Sequence, residues 1–256
     1  MKVIILAGGF GTRLSEETTA KPKPMVEIGG RPILWHILKH YSHYDFREFV
    51  IALGYKADVI KRYFLDYAEL SGNLTVELSQ GRKRVIQRER DEWTVHLEDT
   101  GIDTLTGGRV KKLSEWVSNE TFMITYGDGV SDVPLDKLLA FHKEQGRLAT
   151  ITAVRPPARF GGLVLEKGQV KNFTEKPQAG EGWINGGFMV LEPEVCDLIK
   201  NYHSSLEGEL LEELSEMGQL SAYCHEGFWQ CMDNMRDLRL LEKLWSEGQA
   251  PWKLWQ

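Results

Sequence analysis

Residues 1–14 read MKVIILAGGFGTRL. Val3 to Ala7 is a continuous apolar run, partly β-branched, the pattern of a strand buried on both faces of a parallel sheet. Gly8, Gly9 and Gly11 end the run at once, and polar residues follow to about Glu17. A strand that feeds a glycine-rich turn lets backbone N–H groups approach phosphate oxygens closely. The same glycines would also suit a plain tight turn. The loop is not a Walker A sequence, because no Gly-Lys-Ser/Thr follows. Leu14 stands where the third glycine of a dinucleotide fingerprint belongs. Arg13 tips the reading toward phosphate, since it adds a bidentate donor at the end of the loop. The apolar run is too short to span a membrane. It also lacks the small-residue cleavage region of a signal sequence.

Beyond this stretch the pattern alternates. Ile33 to Tyr41 carries apolar residues at helical spacing. Phe49 to Leu53 reads as a second buried strand, and Asp58 to Tyr67 as a helix with Asp58 at its N-cap. Strand, loop, helix, strand, helix predicts a mostly parallel sheet flanked by helices, an α/β fold of Rossmann-like type. Residues 71–108 break the alternation and read as an excursion from the sheet, with a charged segment, RKRVIQRERDE, between two strand-like runs. Phe122 to Tyr126 returns to a buried strand, closed by Gly127-Asp128-Gly129. Leu135 to Glu144 reads as a helix and Thr150 to Val154 as a strand. Gly162 to Phe173 suggests a hairpin turning at Lys167-Gly168. Trp183 to Leu191 holds a further strand, Leu206 to Met217 a helix, Leu220 to His225 a strand and Asp237 to Trp245 a last helix. With no repeat or linker in view, residues 1–256 form one domain whose C-terminal portion is smaller and β-rich.

The composition is that of an ordinary globular chain, with 42% apolar and 27% charged residues and a formal net charge of −6. That sign argues against a nucleic-acid partner. A negative chain that binds anions must gather its cations locally. Cys196, Cys224 and Cys231 are odd in number and form no CxxC, which fits a reducing, cytoplasmic setting.

Lys21-Pro22-Lys23-Pro24-Met25 places two ammonium groups on a segment stiffened by prolines; alone it would read as a surface turn. Taken together, LAGGFGTRL and KPKPMVEIGGRP resemble the N-terminal signature of the sugar-phosphate nucleotidylyltransferases. TYGDGV around Asp128, FTEKP at 173–177, INGGF at 184–188 and FWQCMD ending at Asp233 resemble further motifs of that family, in the same order. TGGRVKKL, RFGGLVLEKGQVKNFTEKP and the ending APWKLW are similar to its branch that uses CTP and glucose 1-phosphate.

The resemblance implies direct transfer of a nucleotidyl group to a sugar 1-phosphate, with Mg2+ as cofactor. It implies that Leu6, Ala7, Gly8, Gly9, Gly11, Thr12, Arg13 and Lys23 hold the nucleotide, with Arg13 and Lys23 catalytic. The Thr106-Gly107-Gly108-Arg109 turn is a second place where a base would lie close to the main chain, with Arg109 donating to its O2. Tyr126, Glu175, Lys176, Asn185, Gly186 and Gly187 would take the sugar phosphate. Asp128 and Asp233 would hold the metal, although a Gly-Asp-Gly turn and a helix N-cap would also explain those two residues. A homo-oligomer is implied as well, with a hexamer among the states the resemblance allows.

Other features point elsewhere. His36, His40 and His43 share one helical face, but no HExxH accompanies them, and packing explains them better. The basic residues between Arg82 and Arg90 are interleaved with acids and read as a solvated face. Trp245, Trp252 and Trp255 suit the core or a subunit interface.

Overall fold

Val3, Ile4 and Ile5 have no solvent exposure. Val3 and Ile5 point into one apolar cluster, and Ile4 and Leu6 into a second on the other face of the sheet. The strand is apolar throughout because both of its faces are covered. The computed structural model describes residues 1–11, 14, 18, 21–86, 91–156, 162–166, 169–174 and 182–255.

The chain runs through β1 (Lys2–Leu6), the short pair β2 (Glu27–Ile28) and β3 (Arg31–Pro32), the helix Ile33–His43, β4 (Glu48–Leu53), the helix Ala57–Leu70, the hairpin β5 (Asn73–Glu77) and β6 (Arg82–Ile86), and β7 (Thr94–Asp99). Helices Thr106–Lys112 and Ser114–Val117 lead to β8 (Phe122–Tyr126), β9 (Gly129–Ser131), the helix Leu135–Gln145, β10 (Ala149–Val154), β11 (Gly162–Glu166) and β12 (Gln169–Thr174). Then come β13 (Ile184–Asn185), β14 (Met189–Leu191), the short helix Val195–Leu198, a π-helical segment Leu206–Leu211, the helix Glu212–Glu216, β15 (Leu220–His225), β16 (Trp229–Cys231) and the helix Met235–Ser246.

In the main sheet β7, β4, β1 and β8 lie side by side and parallel. β14 runs antiparallel between β8 and β10, and β15 closes the far edge parallel to β10. β13 continues along β10, antiparallel to it. One face is covered by the helices Ile33–His43 and Met235–Ser246, the other by Thr106–Lys112 and the segments after Val195. This is the expected mixed, mostly parallel sheet flanked by helices. Among the described residues no helix is long and apolar enough to cross a membrane.

Several expectations are corrected. The helix Ala57–Leu70 is capped by the backbone of Lys56, which is left-handed at φ 52°; Asp58 sits in the first turn without capping. There it faces the positive end of the helix dipole. Thr106 to Arg109 is the start of a helix rather than a turn. β7 belongs to the main sheet, so the excursion narrows to the β5–β6 hairpin and its surroundings. The expected strand over Trp183–Leu191 is interrupted at Gly186–Phe188. The turn at Lys167-Gly168 lies outside the described residues.

Candidate active site

The C-terminal ends of β1 and β8 open into a cleft of about 630 Å3. Open α/β sheets bind ligands at this end of their strands. Leu6 to Gly11, Lys23, Thr106, Arg109, Tyr126, Asp128 and Asp233 line it, together with residues 102–105. Of the residues named from sequence for the nucleotide, all but Thr12, Arg13 and Gly107 stand on this wall. Thr12 and Arg13 lie outside the described residues. Gly107 is packed against Ser204–Leu206 instead.

Arg109 departs most from its expected part. It is buried at 4% exposure. Its guanidinium donates to Leu53 O at 2.8 Å, Thr100 Oγ1 at 2.5 Å, Gly101 O at 2.9 Å and Gly8 O at 3.0 Å. These bonds tie the ends of β1, β4 and β7 together beneath the glycine loop. A Cβ at Gly8 would fall 2.2 Å from Arg109 Nη1, so glycine is needed there to admit the guanidinium. Gly8 O also accepts from Tyr55 N–H at 3.1 Å. Both of its lone pairs are therefore engaged within the protein.

Pro22 and Pro24 frame a single 3-10 turn, Lys23–Met25, which buries the stem of Lys23. Its Nζ lies 2.6 Å from Asp128 Oδ2 and 2.5 Å from Asp233 Oδ1. Burial pushes the ammonium down, but the two facing carboxylates outweigh that and hold it above the ordinary lysine value. The aspartates meet because β9 and β16 pair antiparallel, Gly129 opposite Cys231, and Met232 N–H donates to Asp128 O at 2.8 Å. Capping does not account for Asp233. The cap of the helix Met235–Ser246 is Asn234, which forms a reciprocal capping box with Asp237.

On the other wall, the Tyr126 hydroxyl donates to Glu207 Oε1 at 2.7 Å and accepts from Asn185 Nδ2 at 3.3 Å. Burial first, and Glu207 next, push its phenol far above the usual range, so it is neutral. Asn185 Oδ1 accepts from Gly187 N–H at 3.0 Å, and Gly186 O from Trp229 Nε1 at 2.7 Å. Asn185, Gly186 and Gly187 thus stand behind Tyr126 rather than on the cleft wall. Phe188, the next residue, holds φ 45°. An aromatic residue rarely adopts that conformation, and stacking on Tyr41 at 6.1 Å between ring centres backs it here. Glu175 and Lys176 lie outside the described residues. Sequence reasoning passed over Glu207, because it sits in an acidic stretch with Glu209, Glu212, Glu213 and Glu216 that reads as a solvated helix face.

A family model described as nucleotidyl transferase matches residues 2–239. The chain is 51% identical over 257 residues, covering all of both chains, to a glucose-1-phosphate cytidylyltransferase of Salmonella typhi. It is 43% identical, again over the full length of both, to a probable glucose-1-phosphate cytidylyltransferase of Bacillus subtilis. Its fold superposes on a UDP-glucose pyrophosphorylase with a TM-score of 0.69 at 16% identity, covering 96% of this chain and 98% of that one. With its strand–glycine loop, its paired aspartates and this match along nearly the whole sequence, the chain belongs to the nucleotidyl transferase family.

Proposed function

We infer that this protein transfers a cytidylyl group from CTP to α-D-glucose 1-phosphate, giving CDP-glucose and pyrophosphate. The observation that carries the reading is the convergence of Asp128 and Asp233 on one cation at the floor of the cleft, below the glycine loop. The sugar-phosphate oxygen attacks the α-phosphorus, the bond to the β-phosphate oxygen breaks, and pyrophosphate leaves. The phosphate is already ionised, so no protein nucleophile is needed. The residues have two tasks. They hold two anions in line, and they offset the charge that builds on the α-phosphate and the leaving group.

Two carboxylates that share a cation offer oxygen-only ligands, the donor set magnesium takes together with substrate phosphates and water. We therefore assign Asp128 and Asp233 to Mg2+. Held by Asp128 and Asp233, the ion would supply positive charge that screens the repulsion between the two phosphates. The Lys23 ammonium holds the carboxylate oxygens the metal would take, so loading the metal would free it to pair with the nucleotide phosphates. Lys23→Ala then damages turnover with CTP more than binding of glucose 1-phosphate. Arg13 is assigned to the nucleotide phosphates and Lys176 to the sugar phosphate on the family resemblance. A pyrophosphate-release assay with four nucleotides against several sugar 1-phosphates tests the whole reading. Release with CTP and glucose 1-phosphate is expected; no release with any pair would overturn it.

We further propose that the chain works as a homo-oligomer, with a hexamer among the states the family resemblance allows. Leu74, Val76, Leu78 and Ile86 support this, standing exposed on or beside a hairpin whose strands, among the described residues, pair only with each other. Light scattering of the purified protein checks it, and a monomer at every concentration would contradict it.

A further inference from the structure

The cleft has two walls. One is the start of the helix Thr106–Lys112, the other the end of β8 at Tyr126. A single carboxylate joins them. Glu207 Oε2 accepts from Thr106 Oγ1 at 2.7 Å, and Glu207 Oε1 accepts from the Tyr126 hydroxyl at 2.7 Å. Ser205 Oγ also donates to Oε2, at 3.0 Å.

The segment bearing Glu207 is built to reach this place. Leu206 N–H donates to Thr106 Oγ1 at 2.9 Å, Gly108 N–H to Ser204 O at 3.0 Å, and Leu105 N–H to Tyr202 O at 3.2 Å. A Cβ at Gly108 would fall 2.0 Å from Tyr202 O, so this close approach requires glycine. The carboxylate sits at the start of the π-helical Leu206–Leu211, whose cap, Ser205 Oγ, accepts from Gly208 N–H at 3.1 Å. A π-helical segment in a helix frequently marks a functional position.

We propose that Glu207 is a positioning residue that fixes the spacing between the nucleotide wall and the sugar-phosphate wall, one carboxylate oxygen on each. The inference rests on the proposed reaction, in which the two substrates meet between these walls. Neither substrate alone senses the spacing; the transfer does. Misplacing reacting groups by about an ångström costs about 100-fold in rate. The same contacts fix the hydroxyl rotors. The Tyr126 hydroxyl donates its hydrogen bond to Glu207 and so presents lone pairs toward Asn185 and the cleft.

The test uses three substitutions. Glu207→Asp keeps the charge but loses a methylene of reach. Glu207→Gln keeps the reach but loses the charge. Glu207→Ala loses both. The expected result is a fall in kcat of about 10- to 100-fold in Glu207→Asp and Glu207→Ala. In the same two variants Kd for CTP alone and for glucose 1-phosphate alone stays within about three-fold, by calorimetry. Glu207→Gln, which keeps the reach but has an N–H donor in place of one acceptor oxygen, falls between the wild type and these two. A merely structural role would lower Tm and weaken both single-substrate affinities in step with kcat; that outcome overturns the proposal, and so does wild-type turnover in Glu207→Asp. If the wild type releases no pyrophosphate from this substrate pair, the proposed reaction fails instead. The variants are then compared on the pair that does react.

Discussion

Arg109 and the aspartate pair show how single residues divide structure from chemistry. A buried guanidinium with four oxygen partners and no facing carboxylate among them is an organiser of backbone ends. Arg109→Met would remove the donor that ties Gly8 O, Leu53 O, Thr100 Oγ1 and Gly101 O together, although Gly8 O keeps Tyr55 and Leu53 O keeps Thr100, at a cost on the order of 1–3 kcal/mol. The expected outcome is a clear fall in Tm together with a raised KM for the nucleotide, read by calorimetry and steady-state kinetics; a drop in kcat alone would assign Arg109 to chemistry. Asp128→Asn and Asp233→Asn act in the opposite sense. Each should keep the fold and lose on the order of 100-fold or more in turnover. Near-normal turnover at saturating magnesium in either variant would reject that ligand. The aspartates were singled out because TYGDGV and FWQCMD resemble motifs of the family, and the fold brings both to the Lys23 ammonium. The part played by Arg109 was hidden. Two glycines before it suggest a turn open to a ligand, whereas Gly107 and Gly108 are there for the chain that packs against the helix.

Whole elements carry their own consequences. The helix Ile33–His43 buries His36 and His40 completely or nearly so. His36 Nε2 donates to Ile28 O at 2.9 Å, and its Nδ1 accepts from Trp252 Nε1 at 3.3 Å, so the neutral ring is the form that fits. His40 Nε2 meets Val133 O at 2.9 Å. Burial lowers both to about 4 in the folded protein. The unfolded chain, near 6.5, therefore binds protons that the folded one does not. Stability is fully present above about pH 6.5 and is lost as pH falls toward 4, by on the order of 3 kcal/mol per histidine. Tm measured between pH 7 and 4.5 should drop, and less steeply in His40→Gln; identical slopes would contradict the account. His36 and His40 were legible as packing residues, whereas His43, read with them, is exposed. The apolar runs of β1, β4 and β8 were legible too, since both faces of those strands are covered. β2, β3, β9 and β16 were not, because two or three residues carry no period. Nor was the π-helical segment, since its apolar spacing resembles that of an ordinary helix.

At the scale of the molecule, alternating strands and helices announced the parallel half of the sheet. The antiparallel insertion of β14 between β8 and β10 could not be read, because it depends on pairing between segments far apart in sequence. It matters for function, since it carries Asn185 and the Gly186–Phe188 kink up behind Tyr126. The site as a whole was legible as a set of motifs, but not as a geometry: the Lys23 ammonium shared by Asp128 and Asp233, and the Glu207 bridge, exist only once the chain is folded. The central claim is cytidylyl transfer to glucose 1-phosphate, and base choice tests it most directly. Cytosine donates from ring position 4 where uracil accepts. Gly8 O, an acceptor on the cleft wall, is already engaged by Arg109 and Tyr55, so the acceptor that reads the base stands elsewhere in the site. The measurement is kcat/KM for CTP and for UTP with glucose 1-phosphate under identical magnesium. The account predicts a preference for CTP of about 10- to 1000-fold, less than a fully buried site would give because water reaches the base. Equal values, or a preference for UTP, would contradict it.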